Sequence, residues 1–218
     1  MDHKITALKA QKRNKQRVNV FLDGEFAFGL SRIVAAWLQV GQQISDEKIA
    51  QLRNADELEV AFQQAVNFLS YRPRSEAEVR KNLHDHAVSE ENIVNVLERL
   101  HRSGFVDDTH FAQAWVENRN DMRPRGRRAL AFELLKKGIA DEVIEQTLES
   151  LDEESLAYQA AKQRVTRWNH LEWFDFRKKM YAYLTRRGFD YSTALEATSR
   201  VWAEDQHRDY PQGEEETL

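Results

Sequence analysis

Four basic residues recur in register along the second half of the chain. Arg127, Arg128, Lys136 and Lys137 are matched 50 positions later by Arg177, Lys178, Arg186 and Arg187. Cations held at a fixed repeat can track an array of phosphates, each contact releasing a counterion, or can face an acidic protein. A plainer role is also open, since charged runs commonly coat solvated helix faces and cations near a helix C-terminus complement its dipole. In the first copy the corresponding positions hold Glu76, Ala77, Asp85 and His86, so such a surface belongs to the second and third copies. Two Arg-Pro-Arg triplets, Arg72-Pro73-Arg74 and Arg123-Pro124-Arg125, lie 51 positions apart. An arginine fork binds phosphate or carboxylate through paired bonds, which makes the triplets candidate clamps. A rigid interhelical turn with solvated arginines explains them equally well, because proline pushes the preceding residue out of the helical region. Aromatic residues crowd the third copy at Trp168, Trp173, Phe174, Phe176, Tyr181 and Tyr183. Their faces could stack on bases, but this density near a repeat junction points to core.

Other chemistry is not signalled. The chain has no Cys, which excludes a disulfide scaffold, a thiolate metal site and a Cys nucleophile, and suits a reducing cytoplasm. His84 and His86 are too close for a helical ligand pair, which requires i, i+4 spacing. No GxxxxGK[ST], HExxH or GxSxG motif is present, so neither bound nucleotide nor hydrolytic chemistry is expected. Asp107-Asp108 reads as a helix cap. The expectation is a non-enzyme without metal or cofactor.

The elements that must carry these cations follow from composition and repeat. In 218 residues there are only 8 Gly and 3 Pro against 41% hydrophobic and 31% charged residues, which favours long helices in a charged globular protein. The net charge of −4 resides in the segment from Asp205 to Leu218, leaving the body with 31 basic and 31 acidic residues. No apolar h-region opens the chain and no apolar run approaches the roughly 20 residues that span a bilayer, so a cytosolic location is expected. Residues 1–17 are basic, at Lys4, Lys9, Lys12, Arg13, Lys15 and Arg17. Alternating β-formers on both sides of Asp23-Gly24 then predict a hairpin with a type I′ turn, and Ile5 to Lys12, which alternates only weakly, could add a third strand. A short helix is expected over Ser31 to Leu38 and another from near Asp46.

Beyond this the sequence repeats with a period of about 50 residues. Val79 and Leu83 recur as Leu130 and Leu134 and again as Met180 and Leu184. The following helix carries Ile93, Leu97 and Leu100, then Ile144, Leu148 and Leu151, then Ala194, Thr198 and Val201. Each set has the i, i+4, i+7 spacing of one apolar helical stripe. With first helices expected over Ala55–Leu69, Thr109–Asn120 and Ser155–Trp168, each copy is a three-helix unit. Ser75 and Glu78 form a capping box, and Gly138 and Gly188 stand where a helix closes on a left-handed residue. The predicted organisation is an N-terminal hairpin with short helices over 1–54, repeats over 55–108, 109–154 and 155–204, and an acidic disordered tail over 205–218.

Two stretches carry a family resemblance. Phe68-Leu69-Ser70-Tyr71-Arg72-Pro73-Arg74-Ser75-Glu76-Ala77-Glu78 and Leu100-His101-Arg102-Ser103-Gly104-Phe105-Val106-Asp107-Asp108-Thr109-His110-Phe111-Ala112 resemble the opening of the conserved region of RecX proteins, the regulators of RecA. The stretch Arg125-Gly126 to Leu134-Leu135-Lys136-Lys137-Gly138-Ile139 is similar to the family's second repeat. The likeness covers roughly residues 60–200 and is looser in the third repeat, where Trp173-Phe174-Asp175 replaces the Arg-Pro-Arg triplet, so no clamp role carries over there. It implies a mainly α protein of three tandem three-helix repeats in an elongated curved array. It also implies binding along the groove of RecA-DNA filaments, with inhibition of ATPase, strand exchange and coprotease activity, in regulation of DNA repair and the SOS response. The implied contacts to RecA or DNA fall on Arg72, Arg74, Arg123, Arg125, Arg127, Arg128, Lys136, Lys137, Arg177, Lys178, Arg186 and Arg187. The expected partners are the RecA filament and, more weakly and electrostatically, single- and double-stranded DNA, with the protein a monomer. The competing expectation is an independent DNA-binding protein that uses helix-turn-helix-like repeats and the basic N-terminal segment as an arm.

Overall fold

Residues 2–208 are described in the computed structural model, and they fall into two units divided between Val106 and Asp107. The first unit contains strands β1 (Asp2–Ala10), β2 (Arg17–Leu22) and β3 (Glu25–Ser31), helix α1 (Arg32–Ala35) and strand β4 (Gln43–Ser45). Helices α2 (Asp46–Leu69), α3 (Glu76–Asp85) and α4 (Glu90–Arg102) follow. The strands make one antiparallel sheet in the order β3-β2-β1-β4. Asp23 and Gly24 both have positive φ, 51° and 96°, the geometry the hairpin signal demands. Alternation along β2 and β3 buries Val20, Leu22, Phe28 and Leu30, which pack with Ile5, Ala35, Ile44 and Leu52. The weakly signalled third strand, β1, lies between β2 and β4. Lys4 and Lys9 therefore stand on a strand, and Lys12, Arg13 and Lys15 in the connection to β2, so the basic segment is part of the sheet rather than a free arm.

Helix α2 runs without interruption for 24 residues, so the helix expected near Asp46 and the one expected from Ala55 are the same element. Ser45 Oγ caps it by accepting from the Lys48 N–H at 3.2 Å, and Asp46 and Glu47 place negative charge in its first turn, where the helix dipole favours it. Its first half serves the sheet. Asp56, 8% exposed, accepts from Arg17 Nη2 at 2.7 Å and from the Ser31 N–H at 2.5 Å. Its second half serves the first repeat, where Ala61, Phe62 and Ala65 pack with Val79, Leu83, Ile93, Leu97 and Leu100. Glu59 accepts from Arg99 at 2.6 Å, and that guanidinium lies 3.6 Å over the Phe62 ring.

The second unit comprises helices α5 (Asp108–Met122), α6 (Arg127–Lys136), α7 (Asp141–Glu149), α8 (Glu153–Val165), α9 (Trp173–Arg186) and α10 (Tyr191–Arg208). The repeat positions Leu130, Leu134, Met180 and Leu184 have no exposed surface, as with Val79 and Leu83 before them. Ser75 and Asp107 cap α3 and α5 by accepting from the N–H groups of Glu78 and His110. Gly138 and Gly188 take φ of 76° and 90° after α6 and α9, while the first copy places Ala87 at φ 59°. Helix α10 continues to Arg208, past the point at 205 where the tail was expected to begin. Residues 209–218, with Pro211 and the Glu run, lie outside the described residues. The protein is thus mainly α, with three three-helix repeats and a small N-terminal antiparallel sheet. No helix among the described residues is long and apolar enough to cross a membrane.

Candidate functional site

In the second unit the loop carrying Arg123-Pro124-Arg125 is clasped to the turn after α9. The Gly126 N–H donates to the Arg187 carbonyl at 2.9 Å, and Arg187 Nη1 donates to the Pro124 carbonyl at 3.0 Å. The two glycines permit this approach. A Cβ on Gly126 would lie 2.5 Å from the Gly188 carbonyl carbon and oxygen, and one on Gly188 would lie 2.5 Å from Ala129 Cβ. The clasp gathers cations. Burial, and then the neighbouring charges of Arg119, Arg187 and Arg123, lower the pKa of the Arg125 guanidinium from its ordinary value.

One carboxylate stabilises this cluster. Glu133 on α6 accepts from Trp115 Nε1 at 2.9 Å and from Arg119 Nε at 2.9 Å, and it pairs with Arg125. The Trp115 ring is itself flanked by the Arg119 guanidinium at 4.3 Å and the Lys137 ammonium at 4.9 Å, separations at which a cation is attracted to the ring face. Sequence reasoning passed over Glu133, Trp115 and Arg119. The available signal was the i, i+4 spacing of Trp115 and Arg119 with a single acid among the basic residues of α6.

The twelve candidate cations divide by their partners. Arg72 forms a two-bonded pair with Glu78 at 2.9 and 3.1 Å, and Arg74 lies 4.0 Å over the Phe68 ring. The Arg127 N–H donates to Glu153 at 2.9 Å, and its guanidinium stands 3.8 Å from the same carboxylate. Arg125, Lys137 and Arg187 belong to the clasp and its Trp115 flank. Arg123, Arg128, Lys136, Arg177, Lys178 and Arg186 are exposed. None of these six has a carboxylate within ion-pair distance among the described residues.

Register explains why equivalent cations differ. The position 50 residues after Glu153 is Ala203, and the one after Glu133 is Tyr183. Arg177, the counterpart of Arg127, thereby has no carboxylate where Arg127 has one. Helix α9 turns Phe176, Met180, Tyr183 and Leu184 into the core and holds Phe174, Arg177, Lys178 and Tyr181 on another face. The aromatic set expected to be core therefore splits. Phe176 and Tyr183 are buried and Trp168 packs against them, while Phe174 is 73% exposed and Trp173 37%.

No group of three His, Asp or Glu side chains among the described residues is arranged to hold a metal ion.

Comparison with known proteins agrees with this repeat architecture. Four family models match in chain order: the regulatory protein RecX N-terminal domain over residues 3–45, and the RecX first, second and third three-helix domains over 61–100, 107–148 and 152–198. Regulatory protein RecX of Bacillus licheniformis is 32% identical over 202 residues, covering 89% of this chain and 77% of the relative. That of Bacillus subtilis is 30% identical over 202 residues, covering 90% and 76%. A crystal structure of regulatory protein RecX superposes with a TM-score of 0.77 at 26% identity over 90% of this chain and 99% of the other. A RecX structure from Lactobacillus salivarius, 23% identical, shares the fold with a TM-score of 0.63 over 69% and 99%. The chain belongs to the RecX family of regulatory proteins.

Proposed function

We propose that this protein is a negative modulator of the RecA recombinase. It lies along the groove of RecA-DNA filaments and inhibits their ATPase, strand-exchange and coprotease activities. The observation that carries this reading is the set of six exposed cations without a carboxylate partner, Arg123, Arg128, Lys136, Arg177, Lys178 and Arg186, in the second unit of a RecX-family chain. Such charges suit DNA phosphates or acidic RecA surface, and a chain of repeats gains avidity by touching several filament protomers at once. Binding to naked single- or double-stranded DNA is the weaker, salt-sensitive component. The protein acts as a monomer in the cytoplasm, without metal, cofactor or turnover of its own.

The test follows DNA-dependent ATP hydrolysis by RecA as the protein is added below one copy per RecA, with naked-DNA binding measured in the same buffer. Inhibition at low ratios is expected. Reversing four charges together, Arg128→Glu, Lys136→Glu, Arg177→Glu and Arg186→Glu, should abolish it while the circular dichroism spectrum is kept, because none of the four makes an ion pair that the fold needs. Retained inhibition in that variant would remove these residues from the interface. Absence of any effect on RecA beside firm binding to naked DNA would replace the reading with an independent DNA-binding protein.

A further inference from the structure

The outward face of α9 in the third repeat is built differently from its counterpart in the second. Phe174, Arg177, Lys178 and Tyr181 follow i, i+3, i+4, i+7 spacing, so they share one side of the helix. With Tyr191 and Leu195 from α10 they line a groove of about 230 Å3. That is below the roughly 300–1,000 Å3 of pockets that enclose drug-sized ligands, and it suits a single planar ring. Tyr181 and Tyr191 meet edge to face at 5.4 Å between centroids, and Tyr191 is 63% and Phe174 73% exposed. Two rings of this size at the solvent boundary carry unused stacking area, since the core of the repeat is already filled by Phe176, Met180, Tyr183 and Phe189. The two rings that α9 contributes have no counterpart in the second repeat, because the positions 50 residues earlier hold Pro124, Arg127, Arg128 and Ala131.

We infer that this groove is a stacking subsite for one unstacked base of single-stranded DNA, the base lying against Phe174 and Tyr191 and the flanking phosphates on Arg177 and Lys178. The inference deepens the function proposed above and rests on its premise that DNA is among the ligands. Chemistry favours a nucleic acid over an acidic peptide. Every base offers a flat π-face joined to a phosphate on either side, and the groove offers flat rings directly beside two cations without carboxylate partners. An acidic peptide would satisfy the cations and leave the rings uncovered. The subsite adds a term that charge alone does not supply, since a phosphate-tracking surface binds an abasic strand as well as an intact one.

The experiment compares the full chain with the double variant Phe174→Ala, Tyr191→Ala. Fluorescence anisotropy is used with a thymidine oligonucleotide and with an abasic strand of the same length and charge, across a salt series. The wild-type protein should bind the thymidine strand about ten-fold more tightly than the abasic one, within the range that base–aromatic stacking supports. The double variant should lose that preference, with abasic binding and the salt slope unchanged. Phe174→Tyr should retain it, and both substituted rings are exposed enough that folding is not at risk. Equal affinity of the wild-type protein for the two strands overturns the subsite, as does a double variant that keeps the preference. A double variant that binds both strands like wild type but no longer inhibits RecA overturns it too, by assigning the groove to a protein side chain. The RecA assay decides the broader reading separately. A base-dependent preference without inhibition keeps the subsite and removes the modulator, and inhibition without the preference does the reverse.

Discussion

Replacing Gly188 by alanine tests the clasp between the second and third repeats. Two costs combine at this position. Its φ of 90° lies where a Cβ costs an L-residue about 1–2 kcal/mol. The new methyl would also stand 2.5 Å from Ala129 Cβ, an overlap that backbone movement relieves at about 1–3 kcal/mol. The sum is about 2–5 kcal/mol, a large share of the roughly 5–15 kcal/mol that stabilises a typical domain. Gly126→Ala isolates the second cost, because Gly126 already has φ of −78° while its methyl would meet the Gly188 carbonyl. Gly104→Ala isolates the first, since Gly104 has φ of 68° and open space around it. Urea unfolding followed by tryptophan fluorescence reads the second unit, which holds Trp115, Trp168, Trp173 and Trp202, four of the five tryptophans. Far-UV circular dichroism reads Gly104→Ala in the first unit. The expected order of loss is Gly188→Ala first, with the other two smaller. If Gly188→Ala cost the same as Gly104→Ala within about 0.5 kcal/mol, the usual scatter of neutral surface changes, the close apposition of Gly188 to Ala129 would be wrong.

Asp56→Ala should destabilise the first unit by about 2–4 kcal/mol, because it leaves Arg17 half-buried without its carboxylate and the Ser31 N–H without an acceptor. Asp56→Asn, which keeps the acceptor, should recover part of that. Faster amide hydrogen exchange along β2 and β3 would report the loss, and unchanged exchange would show the pair to be idle. The His3 ring contacts Asp23 at 2.9 Å and Asp46 at 3.2 Å, and its pKa is raised from 6.5, first by the hydrogen bond to Asp23. A group raised in the folded state contributes stability fully below its unfolded pKa and loses the contribution as pH rises through the folded value. The tie between β1, the hairpin turn and α2 should therefore be complete below about pH 6.5 and fade above it. An NMR titration placing His3 at or below its ordinary value, or a His3→Gln variant with an unchanged pH dependence of unfolding, would contradict this.

Much of the fold was legible because its signals are local or periodic. Asp23-Gly24 states its turn type in two residues, Ser75 and Asp107 cap through their own side chains, and the 50-residue period fixes Leu130 by Val79 and Met180. What escaped depends on partners distant in sequence. Strand β4 is three residues long and exists because Asp2 to Lys4 lie opposite it, a pairing that nothing in Gln43-Ile44-Ser45 announces. Both ends of α2 were legible, near Asp46 and at Leu69, but its continuity was not, because the change of burial partner midway along the helix leaves no mark in its periodicity. The candidate site was legible as a set of cations but not as an arrangement. Arg127 and Arg177 look alike in the repeat, and only the carboxylate at Glu153, with Ala203 as its counterpart, separates an engaged guanidinium from a free one.

The unbroken course of α2 also makes the N-terminal sheet and the first repeat a single phase-locked part. Asp56, which grips the hairpin, and Phe62, which enters the repeat core, are fixed in azimuth by the helix between them. Inserting one residue between Asp56 and Glu59 would turn one against the other by about 100° and lengthen the rod by about 1.5 Å, the increments of an α-helix. Only insertions close to whole turns, of seven residues for instance, would bring both sets of contacts back into line. Length variation in this segment is therefore expected to be quantised, and the sheet is not a detachable module that can be trimmed or exchanged at its helical boundary.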